Sequence, residues 1–164
     1  MGYPQVVTGG NLIVVGYGHL GTTKSFTTPK ITRKMIEEGT GGMVREFAAG
    51  WEKMEASGTL SEFSPYIYTA LASQKLGEVT LVHKANILEN GENLLRIDIV
   101  KGIIKEIDDG SMEANKEVER KFTMSASFYS CEVGGTQMML LDSKNMIAII
   151  DGVDLMEDVR NNLQ

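Results

Sequence analysis

Residues 93–133 read NLLRIDIVKGIIKEIDDGSMEANKEVERKFTMSASFYSCEV, and this stretch decides the fold. One parity of its second half is apolar: Val118, Phe122, Met124, Ala126 and Phe128. Arg120 is the lone interruption of that parity. The first half alternates as well, with Leu95, Ile97 and Ile99 on one side and Arg96 and Asp98 on the other. Because side chains of a strand point alternately to opposite faces, both halves are predicted strands with one apolar and one polar face.

The two halves are joined by residues 108–111, Asp-Asp-Gly-Ser, which favour a turn. We therefore predict a long antiparallel hairpin with arms 93–108 and 114–133, and burial of Val118, Phe122, Met124 and Phe128. Arms of about fifteen residues would span roughly 50 Å, whereas an ordinary strand has five or six residues. A hairpin of that length is more typical of an assembly component than of a small enzyme.

The composition indicates a single domain over residues 1–164 with an ordinary apolar core. No apolar run is long enough for a membrane span, and the N-terminal residues lack a secretion signal, so we expect synthesis and folding in the cytoplasm. The net charge of −6 argues against tight phosphate binding. The single cysteine, Cys131, excludes an internal disulfide and is expected to be a packed bystander.

Residues 16–21 spell GxGxxG directly after an apolar strand at 11–15, the arrangement of dinucleotide-binding folds. That motif requires a following helix, but residues 22–29 are rich in threonine and end in proline. We therefore predict a glycine-containing β-hairpin here, with His19 as a turn residue, and no nucleotide site.

The remaining elements are short and separated by clear turn signals. Ser64, Pro65 and Gly77 are suited to begin and end one helix, whose apolar stripe comprises Ile67, Ala70, Leu71 and Gln74. Strand character resumes at 79–89 and ends at Asn90-Gly91, which predicts a type I′ turn. Further strands are predicted at 136–141 and 146–150 around a turn at 142–145, and 154–164 is a short helix or a frayed end.

Residues 31–56 form a second predicted hairpin, with a glycine-rich tip and two strands of mixed polarity. A parity change near Glu52 indicates a β-bulge. Strands without one clean apolar face often complete themselves against a partner, and the alternative is a flexible surface hairpin. We predict that this hairpin contacts neighbouring subunits through Ile31, Arg33, Lys34, Met35, Glu37, Glu38, Gly41, Gly42, Met43, Arg45, Phe47 and Trp51.

The sequence lacks the residue patterns that are typical of catalytic sites and metal sites. The two histidines have no ligand spacing, no serine or cysteine lies in a nucleophile elbow, and the adjacent carboxylates of 37–38 and 108–109 point apart. We expect a non-enzymatic β domain with no catalytic residue, no cofactor and no metal.

Several linear motifs resemble the major tail tube protein of contractile-tailed bacteriophages and of R-type phage-tail-like bacteriocins. They are PKITRK (29–34), GGM (41–43), KEIDDGS (105–111), SFY (127–129), NM (145–146) and IIDGVD (149–154). The resemblance implies a mainly β fold of two antiparallel sheets, packed as a small barrel or sandwich, with one flanking α-helix and long projecting hairpins.

The same resemblance implies homohexameric rings that stack into a hollow tube. Partners would be a sheath protein and the tail-terminating and baseplate proteins, with membrane contact only at injection. The location would be the virion tail, assembled in the host bacterial cytoplasm. Six copies would carry 6 × −6 = −36 charges per ring, so DNA would pass through an acidic lumen without specific binding.

Two alternatives stay open at this point. A type VI secretion tube protein has a similar fold, and a small-ligand-binding β-barrel is an alternative from another function class. Rings or tubes in solution would favour a tube protein, whereas a compact monomer would favour the ligand barrel.

Overall fold

The structure, a computed structural model, describes residues 2–16, 18–19, 23–73 and 78–164. Its strands are β1 Gln5–Val14, β2 Gly18–His19, β3 Thr23–Thr27, β4 Arg33–Thr40, β5 Met43–Trp51, β6 Met54–Leu60, β7 Val79–Glu89, β8 Glu92–Asp108, β9 Arg120–Val133, β10 Thr136–Asp142, β11 Ile147–Ile150 and β12 Val153–Asp154. Its helices are α1 Tyr66–Ser73 and α2 Glu157–Leu163.

Ten strands form one antiparallel sheet that bends into two layers. The main layer has the order β12-β11-β10-β9-β8-β7-β1-β2, and the second layer is β3 and β6, attached to β9. In the described residues the sheet does not close into a barrel, so the sandwich form of the predicted fold is the one observed. β4 and β5 form a separate two-stranded sheet.

The core lies between the two layers and under α1. Across the main layer one continuous row of buried side chains crosses six strands: Val14, Leu81, Val100, Tyr129, Leu141 and Ala148. From the other side β6 contributes Met54, Ala56 and Leu60, and α1 contributes Ile67 and Ala70, to the same cluster. This part of the core therefore consists of side chains whose residues pair directly across neighbouring strands.

The predicted long hairpin is β8 paired with β9, but its second arm begins at Arg120 rather than at residue 114. Residues 109–119 are a connecting loop instead of one tight turn. Phe122 and Met124 are buried as predicted, whereas the prediction was wrong for Val118 and Phe128, which are only half-buried.

A β-bulge at Ser127 explains the error at Phe128. Gly102 of β8 pairs with Ala126, and Lys101, the residue before Gly102, pairs with Phe128, so Ser127 has no opposite residue. Because the extra residue shifts the alternation by one, the core-facing positions change from Met124 and Ala126 to Tyr129 and Cys131. Phe128 is thereby turned to the outer face.

Polar residues of the hairpin face the core rather than water. Asp98 is 1% exposed and accepts hydrogen bonds from the Tyr129 hydroxyl at 2.8 Å and from the Arg96 guanidinium at 2.9 and 3.1 Å. Burial and the neighbouring Asp98 raise the pKa of the Tyr129 hydroxyl far above its usual range. The predicted alternation of side chains along β8 is confirmed. However, the set that contains Arg96 and Asp98 faces the core, and the set that contains Leu95 faces outward.

Arg120, the interruption noted in the sequence, is also buried and paired. Its guanidinium donates to Asp109 Oδ1 at 2.6 Å and to the Ser64 carbonyl at 2.7 Å, and it lies over the rings of Phe63 and Tyr68. A buried charge is tolerated when it is paired and hydrogen-bonded. Arg120 therefore ties the loop after β8 to the start of α1.

The helix prediction is confirmed at its beginning. Ser64 Oγ accepts a hydrogen bond from the Tyr66 N–H at 3.3 Å, as a capping residue does, and Ile67 and Ala70 are buried. Leu71 is exposed, so the apolar stripe is narrower than predicted. Gln74 and Gly77 lie outside the described residues.

The turn predictions hold as well. Asn90 and Gly91 both have positive φ, as a type I′ turn requires, and Asp142 Oδ1 accepts hydrogen bonds from the N–H groups of Lys144 and Asn145. β2 pairs antiparallel with the end of β1, which confirms the predicted β-hairpin at the glycine motif. His19 lies in β2 rather than in the turn. Cys131 is buried, and burial raises the pKa of its thiol.

Gly102 offers a test of the bulge. A Cβ at this position would lie 1.9 Å from the Ser125 carbonyl oxygen, which the backbone holds in place. We expect Gly102→Ala to lower the free energy of unfolding by about 1–3 kcal/mol through this overpacking. The measurement is urea unfolding followed by the fluorescence of Trp51, the only tryptophan.

Gly9→Ala is the matched control, because a Cβ at Gly9 meets no atom within 4 Å. We expect that variant to change stability by less than about 0.5 kcal/mol. Equal stability of the two variants would contradict the close approach of β9 to Gly102.

Candidate assembly surfaces

The first candidate surface is the β4–β5 hairpin, which is exposed along its whole length. Its strands pair only with each other, and residues 33–49 are all exposed. Five large apolar side chains are among them: Met43 is 79% exposed, Val44 70%, Met35 46%, Phe47 44% and Ile36 42%. An exposed apolar patch of this kind marks an interaction surface.

Cross-strand register divides the hairpin into two faces. The first face carries Ile36, Glu38, Thr40, Met43, Arg45 and Phe47. The second face carries Met35, Glu37, Gly39, Val44, Glu46 and Ala48. Each face combines apolar and charged side chains, so neither face has the character of a purely solvated surface.

The charges of the two faces differ. On the first face the Arg45 guanidinium donates to Glu38 Oε2 at 3.2 Å. On the second face Glu37 lies directly opposite Glu46, and the described residues place no cation beside either carboxylate. Like charges directly opposite each other in a sheet destabilise the pair. The second face therefore carries two carboxylates without an ion pair among the described residues, and its one cation, Arg33, lies over the Trp51 ring at the base.

The tip of the hairpin is a two-residue turn with a strict conformational requirement. Gly41 has φ 65° and Gly42 has φ 79°, which is the left-handed region that a type I′ turn needs at both positions. Side chains branched at Cβ are strained there. The glycines thus fix both the register of β4 with β5 and the position of Met43 and Val44.

The base of the hairpin is anchored on its own subunit. The Glu52 N–H donates to the Thr32 carbonyl at 2.8 Å, and Ile31 and Trp51 pack against the core. The Arg33 guanidinium carbon lies 4.9 Å from the centroid of the Trp51 ring. Next to Trp51 a cleft of about 340 Å³ extends to the turn between β10 and β11. The predicted β-bulge near Glu52, within a hairpin reaching residue 56, is wrong: the hairpin ends with β5 at Trp51, and Met54 begins β6, which pairs with β9 in the main sheet. The bulge of the hairpin lies earlier, at residues 49–50, between the pairs Arg33–Trp51 and Met35–Ala48.

All twelve predicted contact residues lie on this hairpin or at its base. Ile31 and Trp51 are partly covered by their own subunit, whereas the other ten are exposed. Contact of these residues with neighbours stays a prediction. The prediction omitted Ile36, Val44 and Glu46, although their parity places them on the same two faces.

The second candidate surface is the outer face of the main sheet. One row of partly exposed apolar residues crosses it, each in direct register with the next strand, with Ser130 between Ile99 and Leu140. We name this row the outer belt: Ile13, Val82, Ile99, Leu140 and Ile149. Among the described residues, no member of the belt belongs to the core cluster.

The sequence contains a signal for the belt. Pairs of adjacent apolar residues, such as Ile13-Val14, Leu81-Val82 and Ile99-Val100, place an apolar side chain on each face of a strand. Such strands are typical of sheets that are covered on both faces.

A third candidate surface is the open edge of β1. No described strand pairs with the outer edge of residues 5–10, and Val6 and Val7 are both more than half exposed. An unpaired edge offers backbone N–H and C=O groups to a strand of another chain.

The described residues contain neither a metal-binding cluster nor a membrane-spanning helix. No group of three or more histidine, cysteine, aspartate or glutamate side chains there could hold a metal ion. Over the same residues no helix combines the length and apolarity that crossing a membrane requires.

Comparison with known proteins identifies the family. A family profile described as phage tail tube protein FII matches residues 4–163. The chain belongs to this family. It is also 24% identical over 170 residues to the tail tube protein of Escherichia phage P2, an alignment that covers 99% of each chain. The resemblance inferred from the motifs is thereby confirmed, and this tail tube chain is a structural tail component.

Solved structures share the fold. The sheath/tube terminator of the extracellular contractile injection system PVC, in its extended state, gives a TM-score of 0.61 at 17% identity and covers 79% of this chain and 97% of its own. The tube-terminating cap of the anti-feeding prophage gives 0.62 at 15% identity, covering 80% and 93%. The PVC sheath–tube complex gives 0.61 at 16% identity, covering 79% and 92%.

The base of the hairpin can be tested through its single tryptophan. We expect Arg33→Ala to shift the Trp51 emission to longer wavelength, because the guanidinium no longer shields the ring from water, and to cost about 0.5–1 kcal/mol of stability. Lys34→Ala is the control, since Lys34 is exposed on the adjacent position and does not lie over the ring. Equal spectral shifts in both variants would contradict the contact between Arg33 and Trp51.

Proposed function

We propose that this chain is the repeating subunit of the inner tube of a contractile tail, in which residues 1–164 act as one tail tube domain. Six copies form a ring, and rings stack into a hollow tube. The observation that carries the proposal is the β4–β5 hairpin, which is exposed on both faces and yet apolar on both. The family supports the same conclusion.

The energetics of the hairpin favour contact with neighbours. Ordering its backbone costs about 1–2 kcal/mol per residue, and a projecting hairpin recovers little of that through burial within its own chain. Neighbouring copies would bury Met35, Ile36 and Phe47 and would supply charges opposite Glu37 and Glu46. The hairpin therefore links subunits within and between rings.

Ring closure uses the sheet edges. The open edge of β1 can accept a strand from the next copy, which would satisfy its backbone groups and cover Val6 and Val7. Six chains of charge −6 give −36 per ring, so a lumen lined by acidic groups would repel DNA phosphates and let DNA pass without specific binding. The chain itself acts as a scaffold without catalytic activity.

The wider assembly follows from the relatives. Structures that share this fold include a sheath–tube complex, a sheath/tube terminator and a tube-terminating cap. By analogy the tube carries a sheath on its outside and terminator and baseplate proteins at its ends, and it meets a membrane only at injection. It assembles in the bacterial cytoplasm and becomes part of the virion tail or of a DNA-free bacteriocin.

The alternatives are weaker. A ligand-binding β-barrel needs a closed sheet around a cavity, whereas the layers here enclose a packed core of side chains such as Phe122 and Met124. A type VI secretion tube lacks the support that the phage family gives. Size-exclusion chromatography with electron microscopy tests the proposal: we expect rings or tubes, and a compact monomer at all concentrations would contradict it.

The tip provides a sharper test. We expect Gly41→Val combined with Gly42→Val to give a soluble, folded subunit that no longer polymerises, because valine is strained at the φ values of this turn. Gly41→Asn is the matched control, since Asn90 with Gly91 forms the same turn elsewhere in the chain. If the valine variant still forms long tubes at the wild-type concentration, the hairpin does not stack rings.

Amide hydrogen exchange gives an independent prediction. Amides of β4 and β5 should exchange rapidly in an isolated subunit and become protected in the assembled tube, because only neighbours cover them. Amides in the middle of β8, which is bonded on both edges, should be protected in both states. Equal exchange of β4 and β5 in the two states would contradict their role as contact elements.

A further inference from the structure

The outer belt has no covering element in the described chain, and Glu37 and Glu46 of the second hairpin face form no ion pair within it. We propose that the two belong together: the second hairpin face of one copy packs across the outer belt of a neighbouring copy, with Glu37 and Glu46 between Lys84 and Lys101. This inference rests on the proposed tube assembly and specifies one of its contacts.

The dimensions of the two surfaces agree. The belt crosses six neighbouring strands, which at about 4.8 Å per strand spacing is a length of roughly 24 Å. β4 has eight residues, which at ~3.3 Å per residue give an arm of roughly 26 Å. A hairpin laid along the belt, across the strands of the sheet, is therefore about as long as the belt itself.

The apolar side chains of the hairpin face and of the belt also match in position. Met35 and Val44 flank the acidic pair along the hairpin, two residues to either side. On the sheet, Val82 and Ile99 are in direct register at the centre of the belt, and Ile13 and Leu140 extend it to either side. Contact between these two sets would remove exposed apolar surface from water on both copies.

The charges are complementary. Lys84 lies two residues beyond Val82 on β7, and Lys101 lies two residues beyond Ile99 on β8. Because the two strands are antiparallel, these lysines flank the belt on opposite sides. Both are exposed, and no ion pair shorter than 4 Å is formed by either among the described residues. Together with the stronger effect of the Lys144 hydrogen bond, however, the charge of Lys101 helps to lower the pKa of the nearby Glu78 carboxyl. Two carboxylates on facing strands of a hairpin would reach one lysine on each side.

Other charges on the same face restrict the position of the hairpin. Glu132 lies on the Lys84 side of the belt and Asp142 on the Lys101 side, but both are on strands β9 and β10. They would repel the acidic pair, so the pair must lie over β7 and β8. On the first hairpin face Glu38 already forms an ion pair with Arg45, so that face offers no unpaired carboxylate to these lysines.

A charge exchange between the two surfaces is the test. Lys84→Glu with Lys101→Glu, and separately Glu37→Lys with Glu46→Lys, should each raise the concentration needed for tube formation by roughly tenfold or more. The four substitutions together should restore assembly to within about threefold of the wild type, since the contacts are re-formed with opposite sign. Circular dichroism and urea unfolding verify that each subunit is folded.

The matched control changes the net charge equally at sites away from the belt. Lys116→Glu with Lys121→Glu alters two exposed lysines outside both the belt and the hairpin, and should leave assembly unchanged. If the belt variants assemble like the wild type, or if the combined variant is no better than either pair, the docking is wrong while the tube function stands. If the wild type itself forms neither rings nor tubes, the proposed function fails first.

A cross-link identifies the occupant of the belt directly. With Met35→Cys and Val82→Cys in separate copies, a short bismaleimide should join the two chains in assembled tubes, since the proposed contact brings these positions together. Cys131 is buried, so it should not compete for the reagent. Met112→Cys, on the loop after β8, is the control for random collision and should not be joined to Val82→Cys. Cross-linking of Val82→Cys only to itself would overturn the proposal in favour of belt-to-belt contact.

Discussion

β9 is shared between two layers, and the rest of the structure depends on how it changes partner. One of its edges is bonded to β8 along the strand, whereas the other is bonded to β6 up to Ala126 and to β10 from Phe128 onward. The bulge at Ser127 lies at this change, so the strand can turn from one layer to the other without losing its pairing with β8. Gly102 allows the close approach that the bulge requires, and the buried row across six strands follows from the resulting register.

The sequence predicted the elements that local signals specify. The turn at Asn90-Gly91, the cap at Ser64 and the long hairpin were all predictable, because turn residues and strand alternation act over a few positions. The bulge was not, since strict alternation assumes that no residue is inserted. For a related reason Arg120 resembled an interruption of the core, and Asp98 was assigned to the polar face although it is buried. Their partners, such as Ser64 for Arg120 and Tyr129 for Asp98, lie 56 and 31 residues away and become neighbours only in the folded sheet.

The candidate surfaces were predictable to different degrees. Mixed polarity and a Gly-Gly tip were sufficient to single out the β4–β5 hairpin, but which residues share a face required the register of β4 with β5. The outer belt was missed because apolar residues on both faces of β7 and β8 appear as continuous hydrophobic runs, which look like an ordinary core. Only the position of β6 and α1 on one side of the main sheet distinguishes the covered face from the uncovered one.

The pairing of Glu37 with Glu46 has a consequence for the pool of subunits that awaits assembly. If two free subunits met through their second hairpin faces, four carboxylates (2 × 2) would be brought together over apolar surface, and the encounter would be repelled. Sheet proteins commonly keep exposed strands soluble by charges of this kind. If the proposed tube forms through this face, the same carboxylates would oppose the association of free chains with one another before assembly.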